Sequence, residues 1–308
     1  MPRKSIGGIC GKKLIICERI ISMIGNFVEI KNKNWIARIL PSFGTNVISL
    51  KDGNTDILRT PKSTEELSLS PYLYGMPLLF PGNRVENGEF VFEGKKYCLP
   101  INEPERGNHI HGLLFDAPFT VTKLLNNKVE CVYENKDERY PFPFKMTITY
   151  TITDDGLFQN IVIKNTGETS MPVHLALHTT FIAPKRFCVP IGKRWEVDER
   201  YIPTGNLLEL TPGELLYRDG CNPKEKAISG FFVADKNHAI IGDYVYRVSN
   251  NYTQWILFNG GGDKGFLCVE PQTGPVNGLN MKNGYICLEK HKEVCFSSSI
   301  TRRNIEDK

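Results

Sequence analysis

The chain has 308 residues and six histidines, few enough to weigh one by one. His178 stands near the end of the apolar run 171–181, an unusual place for a titratable ring. It follows His174 by four positions, so in one continuous strand the two rings would share a face. Glu270 closes the apolar run Leu267-Cys-Val-Glu270, directly before Pro271. A carboxylate buried there costs several kcal/mol unless it has a partner or a task. Capping the following loop is the plainer alternative. Brought together from distant strands, a glutamate and a histidine make an acid/base pair, because burial and hydrogen bonding can move both pKa values toward working pH.

Two further sets could hold a ligand. His109-Ile-His111-Gly112 follows the polar loop 103–108. Its imidazoles alternate to opposite faces, and the glycine permits close approach. A metal pair is the alternative there, but H-x-H needs a third ligand that no spaced His/Cys/Asp cluster supplies, so no metal is expected. Asn83-Arg84 follows Phe80-Pro-Gly at another apolar-to-polar step. The arginine could offer its planar fork to hydroxyls or an anion, or simply sit in a surface turn. Tyr72, Tyr74, Phe80 and Trp195 lie near these loops and could stack on a sugar face, although such rings also build cores. P-loop, dinucleotide-binding, nucleophile-elbow and HExxH motifs are absent, and Gly260-Gly-Gly262 has no following helix to cradle a phosphate.

The elements that must position these residues read as strands. Alternating runs at 27–30, 35–40, 46–50, 89–92 and 119–124 are punctuated by turns. Runs 144–152 and 158–163 flank Asp154-Asp-Gly156 and predict a hairpin. Extended stretches are expected at 171–181, 230–233, 254–258, 266–269, 285–288 and 294–299. Residues 12–24 fit helix or strand. No long capped helix, strand–helix alternation or fixed-period repeat is visible, so the expected architecture is all-β, a large antiparallel sandwich. With no Pro/Ser-rich linker, the expectation is one domain over 26–303, an N-terminal extension over 1–25 and a tail over 304–308.

Composition narrows the function classes. Thirty-eight Lys and Arg against thirty-four Asp and Glu leave a net charge of +4, too small and too evenly spread for a nucleic-acid groove or a polybasic membrane anchor. Hydrophobic residues at 41% and charged residues at 23% exclude disordered and collagenous classes. Nine scattered cysteines without C-x-x-C fit neither a disulfide framework nor a zinc ribbon, which makes a reducing cytoplasm the simpler setting. The apolar stretch from Leu14 is too short to span a membrane and too interrupted for a secretory signal, so an untargeted protein is expected.

The pieces together resemble the aldose 1-epimerase (galactose mutarotase) family. The resemblance rests on Phe80-Pro-Gly-Asn-Arg84, the stretch 88–97, His111-Gly112, Tyr140-Pro-Phe142, Val162-Ile-Lys-Asn165, Met171-Pro172 leading to His178, Pro203-Thr-Gly205 and Glu270-Pro-Gln-Thr273, in the family's order from about residue 27 to 300. It implies a β-sandwich of the galactose-mutarotase type with a sugar cleft crossed by these loops. It further implies that Glu270 is the base taking the anomeric hydroxyl proton and His178 the acid protonating the ring oxygen, on opposite sides of the hemiacetal. Asn83, Arg84 and His111 would hold the sugar, and no cofactor is implied.

The chain departs from the family pattern twice. After His178 it continues Thr179-Thr-Phe181, without the family's hydrogen-bonding Asn. The family's sugar-binding Asp also has no clear counterpart: the region reads Ser229-Gly-Phe-Phe-Val233, with Asp235 and Asp243 as loose candidates. The expected function is anomer exchange on a free aldohexose. Alternatives are epimerisation of a hexose 6-phosphate, with Lys185-Arg186 and Lys193-Arg194 as phosphate ligands, or a sugar-binding protein without turnover.

Overall fold

The computed structural model describes residues 27–136 and 138–304. The segment 12–24 and most of the tail therefore lie outside the described residues. Every second residue of Phe144–Ile152 is buried, the period-two mark of a strand with one face on a core. Its partner Gly156–Asn165 returns through the expected turn, with Ile152 opposite Leu157 and the Thr153 N–H donating to Gly156 O. This hairpin lies within an eight-stranded antiparallel sheet. Its order is Thr120–Leu125, Lys128–Glu134, Phe144–Ile152, Gly156–Asn165, Glu293–Arg302, Tyr244–Val248, His238–Ile241 and Phe187–Cys188.

A second sheet runs Pro203–Leu208, Ile191–Val197, Ser229–Ala234, Gln254–Phe258, Phe266–Gln272, Ala176–Leu177 and Leu78–Leu79. Thr180–Ile182 also pairs with Phe266–Gln272. The two sheets share one core: Ile148, Ile161 and Phe296 of the first and Trp255, Leu257 and Val269 of the second belong to a single apolar cluster. Each such side chain contributes roughly 1.5–3 kcal/mol over its exposed state. A four-stranded N-terminal sheet, from Val28–Asn32 to Thr55–Asp56, joins the same cluster through Ile30, Trp35 and Val47. The sandwich expected from the strand pattern is the observed architecture.

One expected strand is corrected. The run 171–181 breaks into Met171–Val173, Ala176–Leu177 and Thr180–Ile182. The first pairs with Ile286–Leu288, while the others join the second sheet. At the breaks, backbone groups turn to loops: His174 O accepts from Gly82 N, and His178 N donates to Pro77 O. A shared face for His174 and His178 therefore does not follow. Two short α-helices also appear among the described residues. Thr64–Leu69 is capped by Ser63, and Pro212–Asp219 has a full capping box between Thr211 and Glu214. Among the described residues, no helix is long and apolar enough to cross a membrane.

Candidate active site

The five residues given site roles by the resemblance, Asn83, Arg84, His111, His178 and Glu270, line one cleft of 530 Å³. Glu270 enters it from Phe266–Gln272, a strand buried along its whole length with neighbours on both sides. His178 arrives from the loop between Ala176–Leu177 and Thr180–Ile182. Both are nearly fully buried, at 2% and 5% exposure. His178 Nε2 lies 3.3 Å from Glu270 Oε1. Glu270 Oε2 is buried without a hydrogen-bond partner. Burial pushes the Glu270 carboxyl up to about 8, against a smaller downward pull from Arg84. Burial also pushes the His178 imidazole down to about 4. Near neutral pH the pair therefore holds one proton, a state open to transfer in either direction.

His111 completes a cluster of rings. It sits just past Asn108–Ile110 with φ +65°, and its N–H donates to Asn83 O at 2.8 Å. Gly112 makes this approach possible: at φ +65°, a Cβ there would lie 2.1 Å from Phe80 O. The His111 ring stands nearly perpendicular to His178 at 5.2 Å and lies 4.5 Å from Tyr72. Desolvation, reinforced by His178 and Arg84, drives its pKa well below the ordinary imidazole value, so it meets a ligand as a neutral donor or acceptor. His109 does not line the cleft; it is fully buried with Nδ1 2.7 Å from Pro100 O. His174 does not line it either, and packs against the backbone near Gly82, Gly274 and Gly278.

Arg84 differs from a free fork. Its Nε and Nη2 donate to the two carboxylate oxygens of Glu103, leaving Nη1 beside Asn83 Oδ1 at 3.4 Å. Burial would raise the Glu103 carboxyl, but bonds from Arg84 and Asn108 outweigh it and hold the group below its ordinary value. Of the aromatic residues noted in the sequence, Tyr72 lines the cleft, whereas Tyr74, Phe80 and Trp195 do not. Phe80 and Tyr74 are core residues, and Trp195 Nε1 donates to Gln254 Oε1.

Arg106, Tyr201 and Phe258 line the cleft without having been expected there. Ser229 and Phe231 line it too, two apart on one strand, with Phe258 opposite Ser229 in the neighbouring strand. Alternation along 229–234 was the available signal for that pair. Asp235 and Asp243 are not part of the lining, and Glu270 is its only carboxylate among the described residues. The basic pairs considered for phosphate lie elsewhere: Lys193 bonds Glu209, Arg194 bonds Glu214 and Arg186 bonds Asp219 O. One set of donors could hold a metal. His178, Cys268 and Glu270 place ligand atoms within 4.8 Å of one another.

The chain and its fold have known relatives. The family model described as aldose 1-epimerase matches residues 26–301. A galactose mutarotase of Rattus norvegicus is 32% identical over 153 residues, covering 45% of this chain and 43% of that protein. The chain thus spans less than half the length of the curated relatives it matches. Among solved structures, a galactose mutarotase-like protein from Clostridium acetobutylicum superposes with a TM-score of 0.84 at 28% identity, covering 91% of this chain and 95% of that one. A candidate aldose 1-epimerase from Escherichia coli K12 shares the fold, with a TM-score of 0.78 at 18% identity over 90% of this chain and 99% of its own.

Proposed function

The chain belongs to the aldose 1-epimerase family, and from that premise we propose that it exchanges the α and β anomers of a free aldohexose by opening and closing the sugar ring. The carrying observation is the 3.3 Å contact between His178 Nε2 and Glu270 Oε1 in the cleft. The anomeric hydroxyl and the ring oxygen share one carbon, so a base and an acid standing side by side can reach both.

The proton balance closes without a further reactant. Starting with the shared proton on His178, Glu270 takes the hydrogen of the anomeric hydroxyl as the bond from C1 to the ring oxygen breaks. His178 gives its proton to the ring oxygen. The open-chain aldehyde then stands beside a protonated carboxyl and a neutral imidazole, the protonation that burial favours for the two side chains. Rotation about C1–C2 presents the other carbonyl face, and reversed transfers close the ring to the other anomer. Asn83, Arg84 through Nη1, and neutral His111 hold sugar hydroxyls.

An unphosphorylated sugar is favoured because both cleft arginines already have carboxylate partners. Arg84 is paired with Glu103, and Arg106 bonds Glu103 and Glu105. A reducing cytoplasm belongs to the same reading, which the seven free cysteines of the described residues support. The test is proton NMR exchange between the anomeric signals of glucose and galactose, beside their 6-phosphates. Faster exchange for free sugars supports the reading; acceleration confined to the phosphates, or none, overturns it.

A further inference from the structure

Cys268 lies beneath the acid/base pair and has no part in proton transfer. It is two residues before Glu270 on one strand, so the two side chains share a face. Thr180 stands opposite it in register, with Oγ1 3.4 Å from Cys268 Sγ, and His178 lies two positions before Thr180. The strand Phe266–Gln272 and the loop that leads into Thr180–Ile182 thus bring a thiol, an imidazole and a carboxylate together. All three residues are buried, and their donor atoms lie within 4.8 Å of one another.

We propose that His178 Nε2, Glu270 and Cys268 Sγ form a binding site for a thiophilic divalent cation of the zinc class, and that this cation and the sugar exclude each other. The donor set is the first ground. Nitrogen, sulfur and carboxylate oxygen together suit zinc or cadmium, whereas magnesium and calcium take oxygen donors. Geometry is the second. Bonds of about 2.0–2.3 Å arranged tetrahedrally set donor separations of roughly 3.3–3.8 Å. His178 and Glu270 already meet that edge at 3.3 Å. The edges to sulfur are about 3.5 Å, so Cys268 has to close by at most about 1.3 Å, through a shift of its side chain within its rotamer well. The third ground is Glu270 Oε2, a buried oxygen with no hydrogen-bond partner.

Binding takes one proton from the thiol and, where the carboxyl is protonated, one from Glu270, releasing both to solvent. Affinity therefore rises with pH. The fourth coordination position opens toward the cleft, since His178 and Glu270 both line it. The cation occupies the two atoms that would serve the sugar, so it acts as a competitive, chelator-reversible inhibitor.

Cadmium tests the site independently of turnover, because a cadmium–thiolate bond adds an ultraviolet charge-transfer band. Cd²⁺ is titrated into the full-length protein and into Cys268→Ser, Glu270→Gln and His178→Asn. The expected result is one tight equivalent in the wild type. That equivalent is absent from Cys268→Ser and weakened on the order of tenfold or more in the other two. The remaining cysteines give the same weak background throughout. An identical tight band in wild type and Cys268→Ser, or none in the wild type, overturns the proposal. If Cys268→Ser does not fold, Cys268→Ala and the two ligand variants carry the same comparison. Zn²⁺ inhibition of anomer exchange, relieved by a chelator, is the second readout. A protein that binds cadmium here but exchanges no anomers would refute the enzymatic reading and leave the metal site standing.

Discussion

Arg84 grips both carboxylate oxygens of Glu103, Nε to Oε2 at 2.8 Å and Nη2 to Oε1 at 2.7 Å. The guanidinium thus reaches the cleft already oriented, with Nη1, which makes a long 3.4 Å bond to Asn83 Oδ1, as the nitrogen that can still serve a ligand. Glu103→Gln keeps the shape but removes the charge and turns one acceptor into a donor facing Arg84. Breaking a pair this buried costs about 3 kcal/mol, readable by urea unfolding. KM for the sugar should rise about tenfold with kcat little changed, since the pair orients substrate and moves no proton. A fall in kcat at unchanged KM would contradict this role.

The pH dependence of turnover follows from the buried pair. Glu270 is pushed up to about 8 and His178 down to about 4. Only the singly protonated pair can give one proton and take another, so kcat/KM should be level between these values and fall on both sides. Polarimetric rates in dilute buffer, corrected for the spontaneous reaction, provide the profile. Activity that stays level from pH 7 to 10 would exclude the shared proton.

Stability should carry the same signature with a definite sign. The Glu270 carboxyl has a folded value of about 8 against an ordinary 4.5. Below 4.5 it is neutral in both states. As pH rises toward 8 the unfolded chain releases the proton that the folded chain still holds, so stability falls, and the loss is complete above 8. Glu270→Gln removes this loss and should gain a few kcal/mol over the wild type between pH 5 and 8. Parallel melting curves at pH 5 and 8.5 measure it; a constant difference between the two proteins would contradict the raised carboxyl.

Gly112 is where the His111 loop meets Phe80. Alanine there must hold φ near +65° and place its Cβ 2.1 Å from Phe80 O. The substitution should cost at least about 2 kcal/mol and move His111 away from Asn83. Denaturant unfolding together with sugar affinity checks both effects; a stable variant with native affinity would show that the close approach is dispensable.

The candidate acid and base were more legible in the sequence than the cleft that holds them. Glu270 and His178 stood out because a titratable group inside an apolar β run contradicts its surroundings, and that contradiction is local. The role of Glu103 was hidden because its meaning comes from Arg84, brought beside it by the pairing of Arg84–Glu86 with Asn108–Ile110. Tyr201, Phe231 and Phe258 come from separate segments whose convergence is set by topology. The run 171–181 reads as one strand because apolar residues recur from one end of it to the other, yet it crosses from a small sheet to a large one. The helix Pro212–Asp219 has its signature in Thr211-Pro-Gly-Glu214, but eight residues are too few to show helical periodicity against the strand pattern.

The central claim is that Glu270 and His178 work as one acid/base unit on a free sugar. Polarimetry of freshly dissolved α-D-glucose and α-D-galactose at neutral pH, with wild type beside Glu270→Gln, tests it most directly. The account predicts faster approach to the equilibrium rotation with wild type, and a loss of roughly a hundredfold or more in the variant while the fold persists. Equal acceleration by the two proteins, or no acceleration by the wild type with either sugar, would contradict it.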